Sequence, residues 1–276
     1  MAERPFRFGV VGNAQQGPAA WRALALRAEE LGYSTLLMPD GLQLLSPWST
    51  LAVAASLTTR LRVGTFVVAS PLRPPRLAAW DAHTLSVITE GRFDLGIGTG
   101  RPEVQKQAVE LLGYSPTTGR QRLAQVEQTI DILRELDGDG HRTPILMAAS
   151  GPRARALAAV RADIVAVAAP PLASREEVAR VTAEIREAAG ERADQIELQM
   201  NLFVVGDEVP EWTQRFLGAD AAALIEHDSL VMLRGGTDQM VEELCRRRKA
   251  LGVSYISVNA AFFEEMAPVV QALNGR

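Results

Sequence analysis

Leu31-Gly32-Tyr33-Ser34-Thr35-Leu36-Leu37-Met38-Pro39-Asp40 holds one structural unit in ten residues. Gly32 stands where a helix ending in a left-handed cap wants a glycine, and Pro39-Asp40-Gly41 stops whatever follows. Between them, Thr35 to Met38 is too short for a helix and reads as a buried strand. On the N-terminal side, Trp21, Leu24, Ala28 and Leu31 fall three or four apart, which predicts a helix over Pro18 to Leu31. A further apolar run, Phe6 to Val11, precedes that helix. Strand, helix and strand therefore follow one another within 35 residues.

The alternation continues outward. Helices are expected at Pro47 to Leu57 and Arg76 to Thr89, with strands at Leu61 to Val68 and Phe93 to Ile97. Gly119 to Leu136 carries Leu123, Val126, Ile130 and Leu133 on one helical stripe. Strands follow at Ile145 to Ala148, Ile164 to Ala168 and Ile196 to Val204, the last alternating Ile196, Leu198, Met200 and Leu202 with polar residues. Val241, Leu244 and Leu251 mark a helix at Asp238 to Leu251, before a strand at Ser254 to Val258 and a helix at Phe262 to Leu273. Eight strands alternating with helices match a (β/α)8 TIM barrel, expected here as a single domain over residues 1–276. A doubly wound open sheet is the competing architecture, because periodicity does not report closure. The irregular stretch 206–236 is a long connection of the kind that forms a lid.

Composition narrows the function. The 276 residues are 47% apolar and 22% charged, as in an ordinary globular chain. Lys and Arg total 29 against 33 Asp and Glu, a net charge of −4 without long single-sign runs, so neither nucleic acid nor a membrane surface is an expected partner. One cysteine, Cys245, and an N-terminus lacking a basic-apolar leader pattern lead us to expect a reducing, cytoplasmic setting. His83, His141 and His227 have no metal-ligand spacing, so no metal is expected.

In a barrel the site lies at the C-terminal ends of the strands. This selects Gly12-Asn13, Asp40-Gly41, Val67 to Ser70, Gly98-Thr99-Gly100-Arg101 and Ala149-Ser150-Gly151-Pro152. Gly96 to Arg101 resembles a dinucleotide fingerprint, but Arg101 replaces its third glycine and no helix is expected directly after it. Gly98 and Gly100 either let backbone approach a flat ligand or supply a positive φ. Ser150-Gly151-Pro152 is either an anion site at a helix start or a plain Ser cap. Asp40 either meets a ligand, as hydrogen-bond acceptor or in proton transfer, or is a solvated turn residue. Trp48, Trp80 and His83 are expected to pack between helices and barrel.

Four motifs occur in order: Leu31 to Asp40, Leu61-Arg62-Val63-Gly64-Thr65, Thr89-Glu90-Gly91-Arg92-Phe93-Asp94-Leu95-Gly96-Ile97-Gly98, and Ala148-Ala149-Ser150-Gly151-Pro152. Together they resemble the luciferase-like flavin- or deazaflavin-dependent oxidoreductases, most closely the branch using coenzyme F420. The resemblance implies hydride transfer between a reduced deazaflavin and a small organic substrate, with Asp40 near the ring in a catalytic role. It also implies a non-prolyl cis peptide at Phe66-Val67 behind the ring, Gly98, Thr99 and Gly100 beside it, and Ala148, Ala149, Ser150 and Gly151 around the cofactor phosphate. A homodimer is part of the same resemblance. An FMN-dependent monooxygenase is the alternative, and a degenerate barrel that binds flavin without turnover is a third reading. This chain departs from the family pattern at Gly41 and Pro74, where many relatives carry histidine, and at Trp80, often basic. Arg101 replaces the acid of the sugar-phosphate dehydrogenases, which argues against that activity. Most of the family's usual insertion between the Gly119 to Leu136 helix and the fifth strand is missing, which implies an open cleft.

Overall fold

The computed structural model describes residues 4–276. Eight parallel strands form the barrel: β1 (Arg7–Val11), β2 (Thr35–Met38), β3 (Arg62–Thr65), β4 (Phe93–Gly98), β5 (Ile145–Ala149), β6 (Ile164–Val167), β7 (Glu197–Leu202) and β8 (Val253–Asn259). β1 pairs with both β2 and β8, and the ring closes where Val63 and Gly64 of β3 meet Phe93 and Asp94 of β4. Closure rules out the open sheet. The helices outside are α1 (Pro18–Glu30), α2 (Pro47–Leu57), α3 (Pro75–Ile88), α4 (Pro102–Leu112), α5 (Gly119–Asp137), α6 (Pro152–Arg161), α7 (Arg175–Ala189), α8 (Glu211–Leu217), α9 (Ala221–Glu226), α10 (Thr237–Leu251) and α11 (Phe263–Leu273).

Several elements differ from the sequence reading. A helix, α4, does follow Arg101, starting on Pro102 and ending in the left-handed Gly113. Only Ala108 is fully buried, but Val104, Ala108, Leu111 and Leu112 lie on one helical stripe, a signal that the sequence reading passed over. The barrel itself, rather than a missing helix, excludes the dinucleotide fold. α7 also escaped the reading, although Ser174 and Glu177 form a capping box at its start. Residues 206–236 are not irregular throughout: they contain α8 and α9, and Val204–Val205 pairs with Met232–Leu233 in a separate parallel ribbon. Trp80 faces solvent at 59% exposure. The buried face of α3 consists of Ala78, Ala79, Ala82, Leu85 and Ser86, whose small side chains bring the helix close to the barrel and turn Trp80 outward. Trp48 is half-buried and lies against Phe93, and His83 Nδ1 sits 2.8 Å from a buried Asp137 oxygen, both as expected of packing residues.

Alternation along the strands separates two interiors. Phe8, Val10, Leu36, Met38, Leu95 and Ile97 face the helices, whereas Leu37, Leu146, Ile164, Ala166 and Tyr255 fill the lumen. The floor is charged. Arg7 pairs with Glu197 at 2.6 Å and stacks 3.8 Å over the Tyr255 ring, while Arg62 reaches Asp94 at 2.5 Å. Burial, partly offset by the neighbouring Arg7, pushes the Tyr255 phenol up to about 12, so it stays neutral. This polar layer lies at the N-terminal end and leaves the opposite end for chemistry.

The expected strand Leu61 to Val68 is interrupted after Thr65. The Phe66–Val67 peptide is cis, and pairing resumes only where Val68 and Ala69 meet Ile97 and Gly98. Across the gap the Thr65 hydroxyl accepts from the Gly96 N–H at 2.9 Å and donates to the Gly96 carbonyl at 2.7 Å. A Cβ on Gly96 would lie 1.8 Å from the Thr65 carbonyl oxygen, so glycine is required there. Thr65→Val keeps the shape but strands two buried backbone groups, and should lower unfolding free energy by about 2–4 kcal/mol in urea melts. A loss below about 0.5 kcal/mol would show that the hydroxyl is not what joins the strands.

Candidate active site

The mouth of the barrel is built from two unlike walls. Val11, Leu37, Phe66, Val67 and Ala148 form an apolar side. Gly98 contributes by being small, since a Cβ there would come within 3.1 Å of Val67. The two readings of the glycines therefore divide between them. Gly100 has φ +71° and needs glycine for its conformation, while Gly98 is a close-approach position whose neighbour is Val67. Gly98, Thr99 and Gly100 lead directly into Arg101 at the start of α4.

On the opposite wall, β7 and β8 present Gln199, Asn201 and Ser257 to the lumen. Gln199 Nε2 donates to Ser257 Oγ at 2.5 Å, and Ser257 Oγ donates to Asn201 Oδ1 at 2.7 Å. These polar residues were not singled out from sequence. The one signal was the alternation in β7, which places 199 and 201 opposite its outward-facing apolar residues.

Asp40 is not a solvated turn residue. Its side chain is 1% exposed, and both carboxylate oxygens accept from Arg73, at 2.8 Å from Nη2 and 3.1 Å from Nε. Burial disfavours the Arg73 charge, but the bidentate bond to Asp40 outweighs it and raises the guanidinium pKa above its ordinary value. Sequence gave no hint of Arg73, which lies 33 residues away and reaches Asp40 only because the chain after β3 turns back across the mouth.

At the end of β5 the Ser cap is absent. Gly151, not Ser150, is the N-cap of α6, and no side chain caps its first turn. Ala149 is buried in the outer core and Ser150 is exposed, so the segment offers backbone N–H groups and one hydroxyl toward the mouth. Arg155 fixes the turn by donating to the Ser150 carbonyl at 2.6 Å.

α8 crosses between distant parts of the rim. Phe216 lies under the Arg101 guanidinium at 4.9 Å and against Phe203 at 5.4 Å, and Trp212 contacts Phe262. The cleft is thus not simply open: the connection after β7 reaches over it, although the stretch between α5 and β5 is short. Among the described residues no cluster has the makeup of a metal site, and no helix is long and apolar enough to cross a membrane.

The luciferase-like monooxygenase family model matches residues 4–253, and the chain belongs to that family. An F420-dependent glucose-6-phosphate dehydrogenase of Nakamurella multipartita is 27% identical over 291 aligned residues, covering 90% of this chain and 84% of that protein. A 4-hydroxyprotoasukamycin monooxygenase of Streptomyces nodosus subsp. asukaensis is 34% identical over 131 residues, 45% of this chain and 34% of that protein. Among solved structures, an F420-dependent secondary alcohol dehydrogenase in complex with an F420-acetone adduct superposes at TM-score 0.77 over 98% of both chains, with 16% identity. A long-chain alkane monooxygenase superposes at TM-score 0.75 over 99% of this chain and 92% of that one, with 13% identity. These structures share the fold.

The ion pair at the rim can be tested without a ligand. Arg73→Ala leaves a buried, unpaired carboxylate and should cost about 3–5 kcal/mol of stability in urea melts. The double variant Asp40→Asn/Arg73→Met should recover a large part of that loss. An Arg73→Ala protein as stable as wild type would mean that Asp40 is free for other work.

Proposed function

We propose that this barrel binds coenzyme F420 and serves hydride transfer between the reduced deazaflavin and a small organic substrate. The observation that carries the reading is the joint presence, at one mouth, of the apolar Phe66–Val67 bulge and the uncapped start of α6. The first suits the face of a flat ring, and the second suits a phosphate on its tail. F420 is favoured over FMN by the names of the Nakamurella relative and of the alcohol dehydrogenase with the same fold. Bound, the deazaflavin supplies a hydride, while the protein supplies orientation and exclusion of water.

In this reading Phe66, Val67, Gly98, Thr99 and Gly100 line the ring, and Ala148, Ala149, Ser150 and Gly151 hold the phosphate. Asp40 acts by orienting Arg73 at the rim rather than by taking a proton, since both its oxygens are engaged. Residues 206–236 act as a lid through α8. A sugar phosphate is not the substrate we propose: Arg101 stands where the resemblance requires an acid, and it is stacked on Phe216. The FMN-dependent monooxygenase stays as the second reading because the Streptomyces relative is named a monooxygenase.

Fluorescence titration of cofactor-free protein separates these readings. We expect F420 to bind more tightly than FMN, and Ser150→Asp to weaken F420 binding at least tenfold by placing an anion in the phosphate site. Preference for FMN would favour the second reading, binding without turnover of any acceptor would leave the degenerate barrel, and binding of neither would overturn all three. The homodimer belongs to the same proposal. Val53 on α2, with Leu77, Trp80, Val87 and Ile88 on α3, exposes an apolar face that a second copy would cover. Sedimentation should show a dimer that Trp80→Glu dissociates; a wild-type monomer would remove it from the proposal.

A further inference from the structure

We propose that Asn201, set in place by Ser257 and Gln199, donates a hydrogen bond to a carbonyl oxygen on the pyrimidine edge of the bound ring. The inference rests on the flavin or deazaflavin reading above. It assigns a role to the polar wall, which that reading leaves unused.

The direction of the hydrogen-bond chain fixes what Asn201 offers. Gln199 is 1% exposed and Ser257 0%, so both are shielded from bulk solvent and bond within the wall. Ser257 accepts from Gln199 and gives its single proton to Asn201 Oδ1. The Asn201 oxygen is therefore committed, and its Nδ2 is turned away from Ser257 with two N–H groups. No described residue accepts from Nδ2. Asn201 itself is half-buried, between the closed lumen and the mouth.

The surroundings select the chemistry. The charge nearest along β7, Glu197, is held at the floor by Arg7, so the wall at Asn201 is neutral. A neutral donor facing an apolar shelf suits an uncharged oxygen rather than a phosphate or carboxylate. Flavins and deazaflavins both carry carbonyl oxygens on a pyrimidinedione edge, and a ring lying on Phe66 and Val67 presents an edge to the lumen's other walls. Asn201 would then bind the ring independently of the phosphate site after β5.

The test is a fluorescence titration with F420 and with its tail-less deazaflavin, which lacks the phosphate. Asn201→Asp keeps the size and the bond from Ser257 but replaces the donor with an anionic acceptor. Both ligands should bind at least tenfold more weakly to it, in parallel, and Ser257→Ala should weaken them several-fold because the amide is no longer held. A merely structural role would lower thermal stability and leave affinity for the tail-less ring unchanged. Should Asn201→Asp not fold, Asn201→Leu carries the same expectation. Variants that melt and bind like wild type overturn the inference and leave the F420 reading standing. A wild-type protein that binds neither F420 nor FMN overturns both, and it does so before any variant is made.

Discussion

The mouth of this barrel depends on one side chain bridging a gap in the sheet. Two residues of β3's extension leave the ladder at Phe66 and Val67, and a buried ladder cannot lose its partners without replacement. Thr65 supplies the replacement, as donor and acceptor to the same residue, Gly96. With the seam closed in this way, Phe66 and Val67 turn toward the lumen, Gly98 accommodates Val67, and pairing resumes at Val68. The chain then runs through Pro71 and Leu72 to bring Arg73 onto Asp40. Shelf, close-approach glycine and rim ion pair are consequences of one local exchange of hydrogen bonds.

Charge is distributed to match this arrangement. The floor concentrates Arg7, Arg62, Asp94 and Glu197 in mutually paired groups, which seals the N-terminal end. At the mouth, Asp40 and Arg73 neutralise each other, and Arg101 lies on an aromatic face. What stays unspent there is the backbone N–H groups at the start of α6, the exposed Arg153 in that helix's first turn, and the amide of Asn201. Under the proposed reading, the ring would meet shape and neutral donors, and the partial positive charge of the α6 terminus and Arg153 would face the anionic tail.

Residues near one another in sequence made much of this legible. Helical spacing and short apolar runs located the eight strands, because burial imposes the period of each element on its own segment. Glycine at Gly98 and Gly100 and the Ser150-Gly151-Pro152 turn could be singled out for the same local reason. The stripe of α4, Val104, Ala108, Leu111 and Leu112, was equally local, whereas the place of Trp80 was not, because the face of α3 packed on the barrel is built mostly of small residues that leave the large one outside.

The sequence by itself therefore determined the repeat, the barrel-sized alternation and the positions of the small residues at the strand ends. Only the tertiary structure decided which polar groups meet. Asp40 and Arg73 are 33 residues apart, Thr65 and Gly96 are 31 apart, and Ser257 and Asn201 are 56 apart. Such pairs are set by barrel closure and by the register between neighbouring strands. A one-residue shift in that register would turn Asn201 and Ser257 from the lumen to the helices, and no pattern within either segment encodes it.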